Sequence, residues 1–330
     1  MAVTIRDVAL ASGVHVSTVS RTFSAAHMVN PETRARVMAA ANELGYRPNR
    51  AARALSTRRT GNLGLIVADI ANPFFPPLIK AAQAQARVRD YHVFIADTDE
   101  QARVEEELVR SMAKQVDGAL LVAPRLSNRT IAELGRDVPF TVVNRRVKNL
   151  PCVLMDVASG VRQAITHLAD LGHRDLTVVT GPRASWTGQE LGRAAAERAT
   201  ELGLGLHLIG PNPPTEDGGA TAAEEVVELG GTAVLTHNDL MAIGLIRGLR
   251  HLGRQVPRDM SVIGVDNTDA GRHSDPSLTT VDMPTSAAGR TAIDLLLQSV
   301  TLGGTLGTVS LDTGLVARES TGPAPGDIHR

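Results

Sequence analysis

The sequence contains very little cysteine, and this scarcity excludes two kinds of site. Cys152 is the only cysteine among 330 residues. An intrachain disulfide is therefore impossible, and no cysteine cluster can hold a metal ion. We expect neither a cofactor nor a metal, and a reducing cytoplasm is the compartment that suits such a chain.

Long apolar runs are also missing. The longest, such as LGLIV at 63–67, are short enough for a strand, whereas a membrane helix needs about 20 apolar residues. The N-terminus has no long apolar segment after a basic start, so neither export nor membrane insertion is expected. With 43% hydrophobic residues, the chain has enough apolar mass for the cores of two or three soluble domains.

Charge is divided unevenly along the chain. Residues 1–60 contain nine arginines, no lysine and three acids, a formal charge of +6. The other 25 basic and 32 acidic residues give the remainder a charge of −7. A basic segment of this kind either forms a solvated charged face or neutralises phosphates of a nucleic acid.

Capping signals predict three short helices within residues 1–48. Thr4 and Asp7 resemble a capping box, Gly13 ends the first helix, and Asn30 before Pro31 is a typical start for the third. Apolar residues recur at helical spacing and are expected to face inward: Ile5, Val8, Ala9, Val19, Phe23, Val37, Ala41 and Leu44. Two helices joined by a tight turn and braced by a third form a helix-turn-helix module.

The second helix, Val16 to Phe23, has a polar face suited to reading DNA. Arg21 can donate two bonds to guanine, Val16 can contact a thymine methyl, and Ser17 can bond either way. Thr18 turns toward the other helices or the flanking backbone. Phosphate contacts that set the register are expected from Ser20, Asn30 and Thr33, although Ser20 and Thr33 are equally well explained as surface hydroxyls.

Several motifs together resemble the lactose/galactose repressor family. They are TIRDVALASGVHVSTVSRTF, VNPETRARV, ELGYRPNRAARAL, NPFF, VDGALLVAP, HLADLGHRDLTVV, NDLMAIG, VPRDMSVIGVDN and LTTVDMP, in that order. The resemblance runs from Thr4 to about Glu319, and it places Val16, Ser17 and Arg21 at the base-reading positions of the family. One departure is His15, where the family usually has a serine that caps the helix better.

Residues 49–56, NRAARALS, resemble the hinge helix of this family. A segment of about two turns cannot hold a helix in water alone, so it needs a partner. The resemblance implies that it pairs with its dimer mate in the minor groove, where Leu55 wedges between base steps and Ala52 permits close approach. The alternative is a flexible linker, in which Leu55 has no such role.

From Asn62 onward, buried strands alternate with helices, which predicts doubly wound parallel sheets. The expected class is α/β, with a small all-α helix-turn-helix headpiece and a two-lobed sensor like a periplasmic binding protein. We expect a headpiece at 1–48, a hinge and linker at 49–61, and an effector-binding and dimerisation domain at 62–320. Its first lobe covers about 62–156 and 285–309, its second about 157–281 and 310–320, and a disordered tail follows at 321–330.

Ligands of open α/β sheets bind at the carboxyl ends of the strands, where this chain has several candidate residues. Phe74 and Phe75 favour stacking on a ligand over core filling, and Trp186 is a third stacking candidate. By resemblance, hydroxyls or amines of an effector are held by Asn144, Asn238 and Asp266. Asp239 is predicted to be the N-cap of the next helix instead.

The sensor departs from the family at one important position. An arginine common in the family is here Leu191, with Arg193 or Arg183 as possible replacements, and the loop near 216 lacks an aromatic residue. A neutral sugar is the first candidate effector, with a nucleoside or polyol as alternatives.

The sequence therefore predicts a homodimeric repressor that binds a pseudo-palindromic operator and changes affinity when an effector closes the cleft between the lobes. A corepressor of opposite sign, and activation at some promoters, are equally compatible. A transport-type binding protein would have no use for residues 1–60. An enzyme is disfavoured because the chain lacks GxGxxG after any strand, a P-loop, GxSxG and a catalytic grouping of histidine with carboxylates.

Overall fold

In the computed structural model, residues 3–24, 26–47, 59–302 and 307–326 are described. The chain divides into two compact units, residues 1–61 and residues 62–330. The hinge candidates Ala52 and Leu55 lie outside the described residues.

The first unit contains the three predicted helices. They are α1 (Ile5–Ser12), α2 (Val16–Ser24) and α3 (Pro31–Glu43), with a 3-10 turn at Ala26–Met28 before α3. Its core consists of six buried residues, with Ile5, Val14, Val16, Phe23 and Tyr46 packed around them: Val8, Ala9, Val19, Val37, Ala40 and Ala41. Leu44, expected inside, is instead 37% exposed because it follows the last turn of α3 as its C-cap.

The predicted helix ends are confirmed in this unit. The Asp7 carboxylate accepts hydrogen bonds from the backbone N–H and the hydroxyl of Thr4, both at 2.8 Å, and these bonds lower the pKa of Asp7. Gly13 adopts the left-handed backbone (φ 64°) that ends α1. The Asn30 side chain accepts the N–H of Glu32 at 2.9 Å, with Pro31 in the first turn of α3.

Lobe 1 is built on a six-stranded parallel sheet in the order β11-β5-β4-β3-β1-β2. Its central strands are buried on both faces, because helices cover the two sides of the sheet. The elements are β1 (Asn62–Val67), α4 (Phe75–Val88), β2 (His92–Asp97), α5 (Ala102–Met112), β3 (Gly118–Val122), α6 (Asn128–Leu134), β4 (Phe140–Val143), β5 (Cys152–Met155), and, after lobe 2, α13 (Thr285–Leu302) and β11 (Thr308–Leu311).

Lobe 2 repeats this plan with the strand order β12-β10-β9-β8-β6-β7, in which only the β10–β12 pair is antiparallel. The elements are α7 (Val157–Asp170), β6 (Asp175–Val179), α8 (Trp186–Leu202), β7 (Gly205–Ile209), α9 (Glu216–Thr221), α10 (Ala223–Glu228), β8 (Ala233–Thr236), α11 (Asp239–His251), β9 (Ser261–Asp266), α12 (Asp269–Arg272), β10 (Thr279–Asp282) and β12 (Gly314–Val316).

The chain passes between the lobes after β5, after β10 and after β11, and two of these crossings are bonded together. The Thr313 hydroxyl donates to the carbonyl of Asp156 at 2.6 Å and accepts the N–H of Gly160 at 3.0 Å. A Cβ at Gly160 would lie 2.2 Å from Val281, so only glycine fits there. The last crossing lies slightly later than predicted, because Ser310 and Leu311 pair with β5 in the sheet of lobe 1.

Residues 321–326 do not form the disordered tail that the composition suggested. The Ala324 N–H donates to the Leu171 carbonyl at 2.8 Å, and Gly322 bonds through both its backbone groups to lobe 2. Its carbonyl accepts from the buried His173 and from the hydroxyl of Ser261, and His173 also bonds the side chains of Thr232 and Ser261. Buried hydrogen-bonding groups therefore hold a segment whose composition alone predicts disorder.

Candidate functional site

Helix α2 presents a polar face on the first unit. Ser17 and Arg21, one helical turn apart, are both exposed. Val16, predicted to be exposed, is half-buried and packs against the core of this unit, which leaves part of its side chain accessible. Thr18 is half-buried, and its carbonyl accepts the hydroxyl of Thr22 at 2.9 Å.

His15 caps α2 more effectively than residue preference suggests. Its Nδ1 accepts the backbone N–H of Ser17 at 3.2 Å and lies 2.8 Å from the Ser17 hydroxyl. The imidazole therefore performs the task for which the family uses serine, as long as Nδ1 carries no proton.

Five arginines of the described headpiece are exposed, and none forms an ion pair within residues 3–24 and 26–47: Arg6, Arg21, Arg34, Arg36 and Arg47. Three further polar candidates are also accessible, since Ser20 and Asn30 are exposed and Thr33 is half-buried. Asn30 uses its side-chain oxygen as a cap, which leaves its amide N–H groups for a phosphate. The unit thus offers uncompensated positive charge next to the polar face of α2.

A second candidate site lies between the two lobes of the second unit. A solvent-open cavity lies at the carboxyl ends of the strands, which is where ligands of open α/β sheets bind. Five of the six residues predicted from the sequence line it: Phe74, Phe75, Asn144, Asn238 and Asp266. The rings of Phe74 and Phe75 meet edge to face with centroids 5.0 Å apart, and both side chains are buried in the hydrophobic core, 7% and 3% exposed. Core filling, which the sequence analysis disfavoured, is therefore a role of both residues in addition to their place in the cavity wall.

Strained backbone is concentrated around this cavity. Four lining residues that are not glycine have positive φ angles: Glu100 (60°), Ala123 (49°), Asn144 (55°) and Asp266 (127°). Residues in such conformations persist where the surrounding structure holds them, and they cluster at ligand sites.

An ion pair that the sequence analysis missed stands in the cavity wall. Arg125, after β3, directs Nε and Nη2 at the carboxylate of Glu100, after β2, with Nη2 2.7 Å from Oε1. Nη1 donates to the carbonyl of Ala123 at 2.7 Å. The backbone N–H of Arg125 donates to the buried carboxylate of Glu105 at 2.8 Å, and burial raises the pKa of Glu105.

His237, at the end of β8, was also missed. Its Nδ1 is buried without a hydrogen-bond partner among the described residues. Burial, together with the smaller effect of the positive charge of Arg125, lowers the pKa of His237 to about 4, so the ring is neutral near pH 7. The ring packs against Gly181, where a Cβ would lie 2.4 Å from Cδ2.

Asp266 supplies an unpaired carboxylate to the cavity. Its side chain bonds to no group within the described ranges, and neither does the amide nitrogen of Asn144. Burial raises the pKa of Asp266 well above its ordinary value, and the charge of Asp239 adds to this effect. Hydroxyls of a ligand could replace the missing hydrogen bonds.

The cap role predicted for Asp239 is wrong, because Asn238, which also lines the cavity, caps the helix instead. Asn238 is the N-cap of α11, since its Oδ1 accepts the N–H of Met241 at 2.9 Å while its Nδ2 donates to the Pro214 carbonyl at 3.0 Å. Asp239 is fully buried and accepts bonds from the N–H of Thr268 (2.7 Å), its hydroxyl (2.9 Å) and the hydroxyl of Thr280 (2.6 Å). Its carboxylate therefore joins three elements of lobe 2.

Trp186 does not line the cavity. It begins α8 in lobe 2 and packs against a hydrophobic cluster of lobe 1, so it contributes to the contact between the lobes. Its neighbours Ser185 and Thr187 do line the cavity.

Neither predicted replacement for the family arginine reaches the site. Leu191 is fully buried in the core. Arg193 pairs with Glu190 and Glu197 at 2.6 Å each, and together with Arg183 it lines a separate groove. Arg125 supplies a guanidinium from the opposite lobe instead. Position offered a signal for the missed residues, because Glu100, Arg125 and His237 all follow strands closely.

Two other features bear on the class of protein. No helix in the described ranges is long and apolar enough to span a membrane. No group of three or more histidine, cysteine or acidic side chains suited to a metal occurs in the same ranges.

Comparison with known proteins agrees with this geometry. Residues 4–49 match the model of bacterial regulatory proteins of the lacI family, and residues 165–321 match a periplasmic binding protein-like domain. The HTH-type transcriptional regulator GalS of Salmonella typhimurium is 34% identical over 313 residues, covering 90% of this chain and 89% of that protein.

Solved structures show the same architecture. The Lac repressor dimer bound to operator and the anti-inducer ONPF superposes with a TM-score of 0.85 at 26% identity, covering 98% of this chain and all of that one. The complex of the regulator CelR with cellobiose gives 0.72 at 29% identity, covering 96% and 99%. These relatives are transcriptional regulators and not enzymes, as the sequence predicted. The chain belongs to the LacI family of bacterial transcriptional regulators.

Proposed function

We propose that this protein is a homodimeric repressor that binds a pseudo-palindromic operator. Its affinity for that operator falls or rises when a sugar binds between the lobes. The observation that carries the proposal is the exposed pair Ser17 and Arg21 on a folded helix-turn-helix unit, in a chain that also contains a cavity between its two lobes. Its place of action is the cytoplasm, where the DNA is.

Base recognition is assigned to α2. Arg21 donates to guanine, Ser17 bonds either kind of base edge, and the accessible part of Val16 contacts a thymine methyl. Thr18, Ser20, Asn30 and Thr33 border this face, and they fix the register through the DNA backbone.

Dimerisation is assigned to the edge of lobe 1. Strand β2 is an edge strand with Phe94 50% exposed and Ile95 37% exposed, and Val88 at the end of α4 is 77% exposed. Apolar side chains on an unpaired sheet edge favour burial against a second copy. Phe94→Lys should shift the protein toward monomer in sedimentation velocity and weaken operator binding in parallel.

Ala52 and Leu55 are assigned to a hinge helix in the minor groove. Leu55→Gly should abolish tight operator binding but keep weak, salt-sensitive attachment, because the headpiece arginines still neutralise phosphates. Full operator affinity in this variant would refute the hinge assignment.

The effector site is assigned to the interlobe cavity. Phe74 and Phe75 supply an aromatic wall, while Asn144, Asn238 and Asp266 supply polar groups at the strand ends. A sugar combines apolar ring faces with hydroxyl donors and acceptors, and the similar regulator CelR was solved with cellobiose. Linkage requires DNA to alter sugar affinity by the factor by which sugar alters DNA affinity, typically about 5–150-fold.

The decisive experiment selects genomic fragments with the full-length protein and measures affinity for the selected site by fluorescence anisotropy. Arg21→Ala should reduce discrimination between the selected site and random DNA by about 1–3 kcal/mol. Arg103→Ala, which removes an 83% exposed arginine on α5, controls for net charge and should leave discrimination unchanged. A protein that selects no fragment at low salt, with or without candidate sugars, would refute the proposal.

A further inference from the structure

We propose that the interlobe cleft admits uncharged polyhydroxy effectors and rejects phosphate esters, and that Glu100 sets this selectivity by neutralising Arg125. The inference deepens the proposed function, since it rests on the cleft being the effector site. It names a class of ligand and a specificity-determining residue that the family assignment leaves open.

Arg125 is the guanidinium that lines the cavity, and its charge is already balanced. Two of its three nitrogens face the Glu100 carboxylate in a bidentate arrangement, and the third donates to the Ala123 carbonyl. Its side chain is only 7% exposed, so solvent screens the pair weakly. The remaining N–H groups of Nη1 and Nη2 can still donate to a hydroxyl, which needs no net charge.

Glu100 is held in place by a backbone that glutamate rarely adopts. Its φ is 60°, and its N–H donates to the carbonyl of Ala68 at 2.7 Å. Ala123, whose carbonyl anchors Arg125 from the other side, also has a positive φ of 49°. Two strained residues therefore orient the ion pair, which is typical of a side chain placed for function and not of a surface salt bridge.

The rest of the described wall adds no positive charge. Burial raises the pKa of Asp266 well above its ordinary value, which favours the uncharged acid, and the His237 ring is neutral near pH 7. Arg183 lines a different groove, and Arg145 donates to the carbonyls of Pro124 and Ala184.

These charges discriminate between two classes of ligand. A phosphate dianion entering the cleft would lose its hydration and meet no uncompensated cation among the described lining residues. A neutral polyol would instead hydrogen-bond to the carboxyl group of Asp266 and accept from Arg125. The same argument predicts that removing the charge of Glu100 creates an anion site at Arg125.

Inorganic phosphate tests this prediction, with Trp186 as the reporter. Trp186 is the only tryptophan in the chain, and its neighbours Ser185 and Thr187 line the cavity. Its fluorescence therefore reports on the cleft even if the basic headpiece also binds phosphate. The full-length protein is titrated with sodium phosphate at constant ionic strength as wild type, as the single variants Glu100→Gln, Glu107→Gln and Arg125→Gln, and as the double variant that combines Glu100→Gln with Arg125→Gln. Glu107, 62% exposed on α5, provides the matched loss of one negative charge.

We expect wild type and Glu107→Gln to show no saturable response. Glu100→Gln should bind phosphate at least about tenfold more tightly than wild type, the effect of one charge-assisted hydrogen bond, and adding Arg125→Gln should remove the gain. A folded Glu100→Gln protein that gains nothing would overturn the proposal.

If Glu100→Gln does not fold, the phosphate titration of the wild type still tests the proposal. A saturable wild-type response that Arg125→Gln abolishes would show that the native cleft accepts the anion. Operator binding is measured in a separate experiment. A lack of operator binding would contradict the proposed function, but it would not alter what the phosphate titration shows about the cleft.

Discussion

Replacing Asp239 with alanine tests whether this residue acts as a helix N-cap or as a buried hydrogen-bond acceptor, because the two roles predict different losses of stability. An N-cap aspartate at a helix end contributes about 1 kcal/mol. The structure instead buries Asp239 completely and gives its carboxylate three hydrogen bonds from Thr268 and Thr280, both nearly inaccessible to water.

The expected cost follows from these contacts. Three orphaned buried donors at about 2 kcal/mol each would cost roughly 6 kcal/mol. Removing a buried carboxylate whose pKa is raised from 3.8 to about 6 returns roughly 3 kcal/mol. We therefore expect Asp239→Ala to destabilise lobe 2 by about 3 kcal/mol, which lowers Tm by roughly 6–12 °C.

Differential scanning calorimetry of the full-length protein measures this shift. Asp269→Ala removes an 87% exposed carboxylate from α12, so its effect should stay within about 0.5 kcal/mol. Asn238→Ala, the loss of the observed cap, should cost about 1 kcal/mol. If Asp239→Ala costs no more than Asn238→Ala, the buried-acceptor reading is wrong.

The other predictions concern pH, the cavity and the cap of α2. Because the pKa of Asp239 is raised to about 6 in the folded protein, Asp239 contributes stability that is complete below pH 4 and is lost as the pH rises through 6. The pKa of His237 is lowered to about 4, so His237 contributes stability that is present above pH 6.5 and is lost as the pH falls toward 4. Calorimetry across pH 4–7 should therefore show stability rising more steeply with pH in Asp239→Asn than in wild type, and a parallel profile would contradict these opposing contributions. Gly181→Ala should displace the His237 ring, and it should abolish effector-dependent changes in operator affinity while leaving operator binding intact. Gly192→Ala is the control, because no atom lies within 4 Å of the new Cβ, and it should behave as wild type in the same anisotropy assay. His15→Ala should speed amide exchange at the start of α2 about fivefold, because it removes a helix cap of about 1 kcal/mol. His15→Ser should restore the protection, and unchanged exchange in His15→Ala would refute the cap.

A chain of hydrogen bonds connects the cleft to the crossing between lobes. Asn267, next to Asp266, donates to Asp282 at 2.7 Å and accepts from Arg318 at 2.6 Å. Asp282 ends β10 immediately before the chain returns to lobe 1. In the proposed mechanism, a ligand that bonds to Asp266 acts on the backbone beside a point where the chain crosses between the lobes.

Local rules predicted the headpiece because its signals are local. A cap or a left-handed glycine acts within a few residues, so Thr4, Gly13 and Asn30 could be interpreted without tertiary information. The major strands were equally predictable, since runs buried on both faces are apolar throughout. Four short strands were missed, and β10 shows why: Thr279 and Thr280 are polar, and they are buried because partners distant in sequence satisfy their hydroxyls.

The sequence by itself determined most of the helices and strands, the polar face of α2 and five residues of the cavity lining, because periodicity, capping and strand ends are encoded over a few neighbouring residues. Only the tertiary structure decided which charges meet. Glu100 and Arg125 are 25 residues apart and come together because β2 and β3 flank β1 in one sheet, while Asp239 acquired its role from β10 and from Thr268, which follows β9. The charge of the cleft, and hence the class of effector proposed for it, depends on pairings across the sheets that no local pattern specifies.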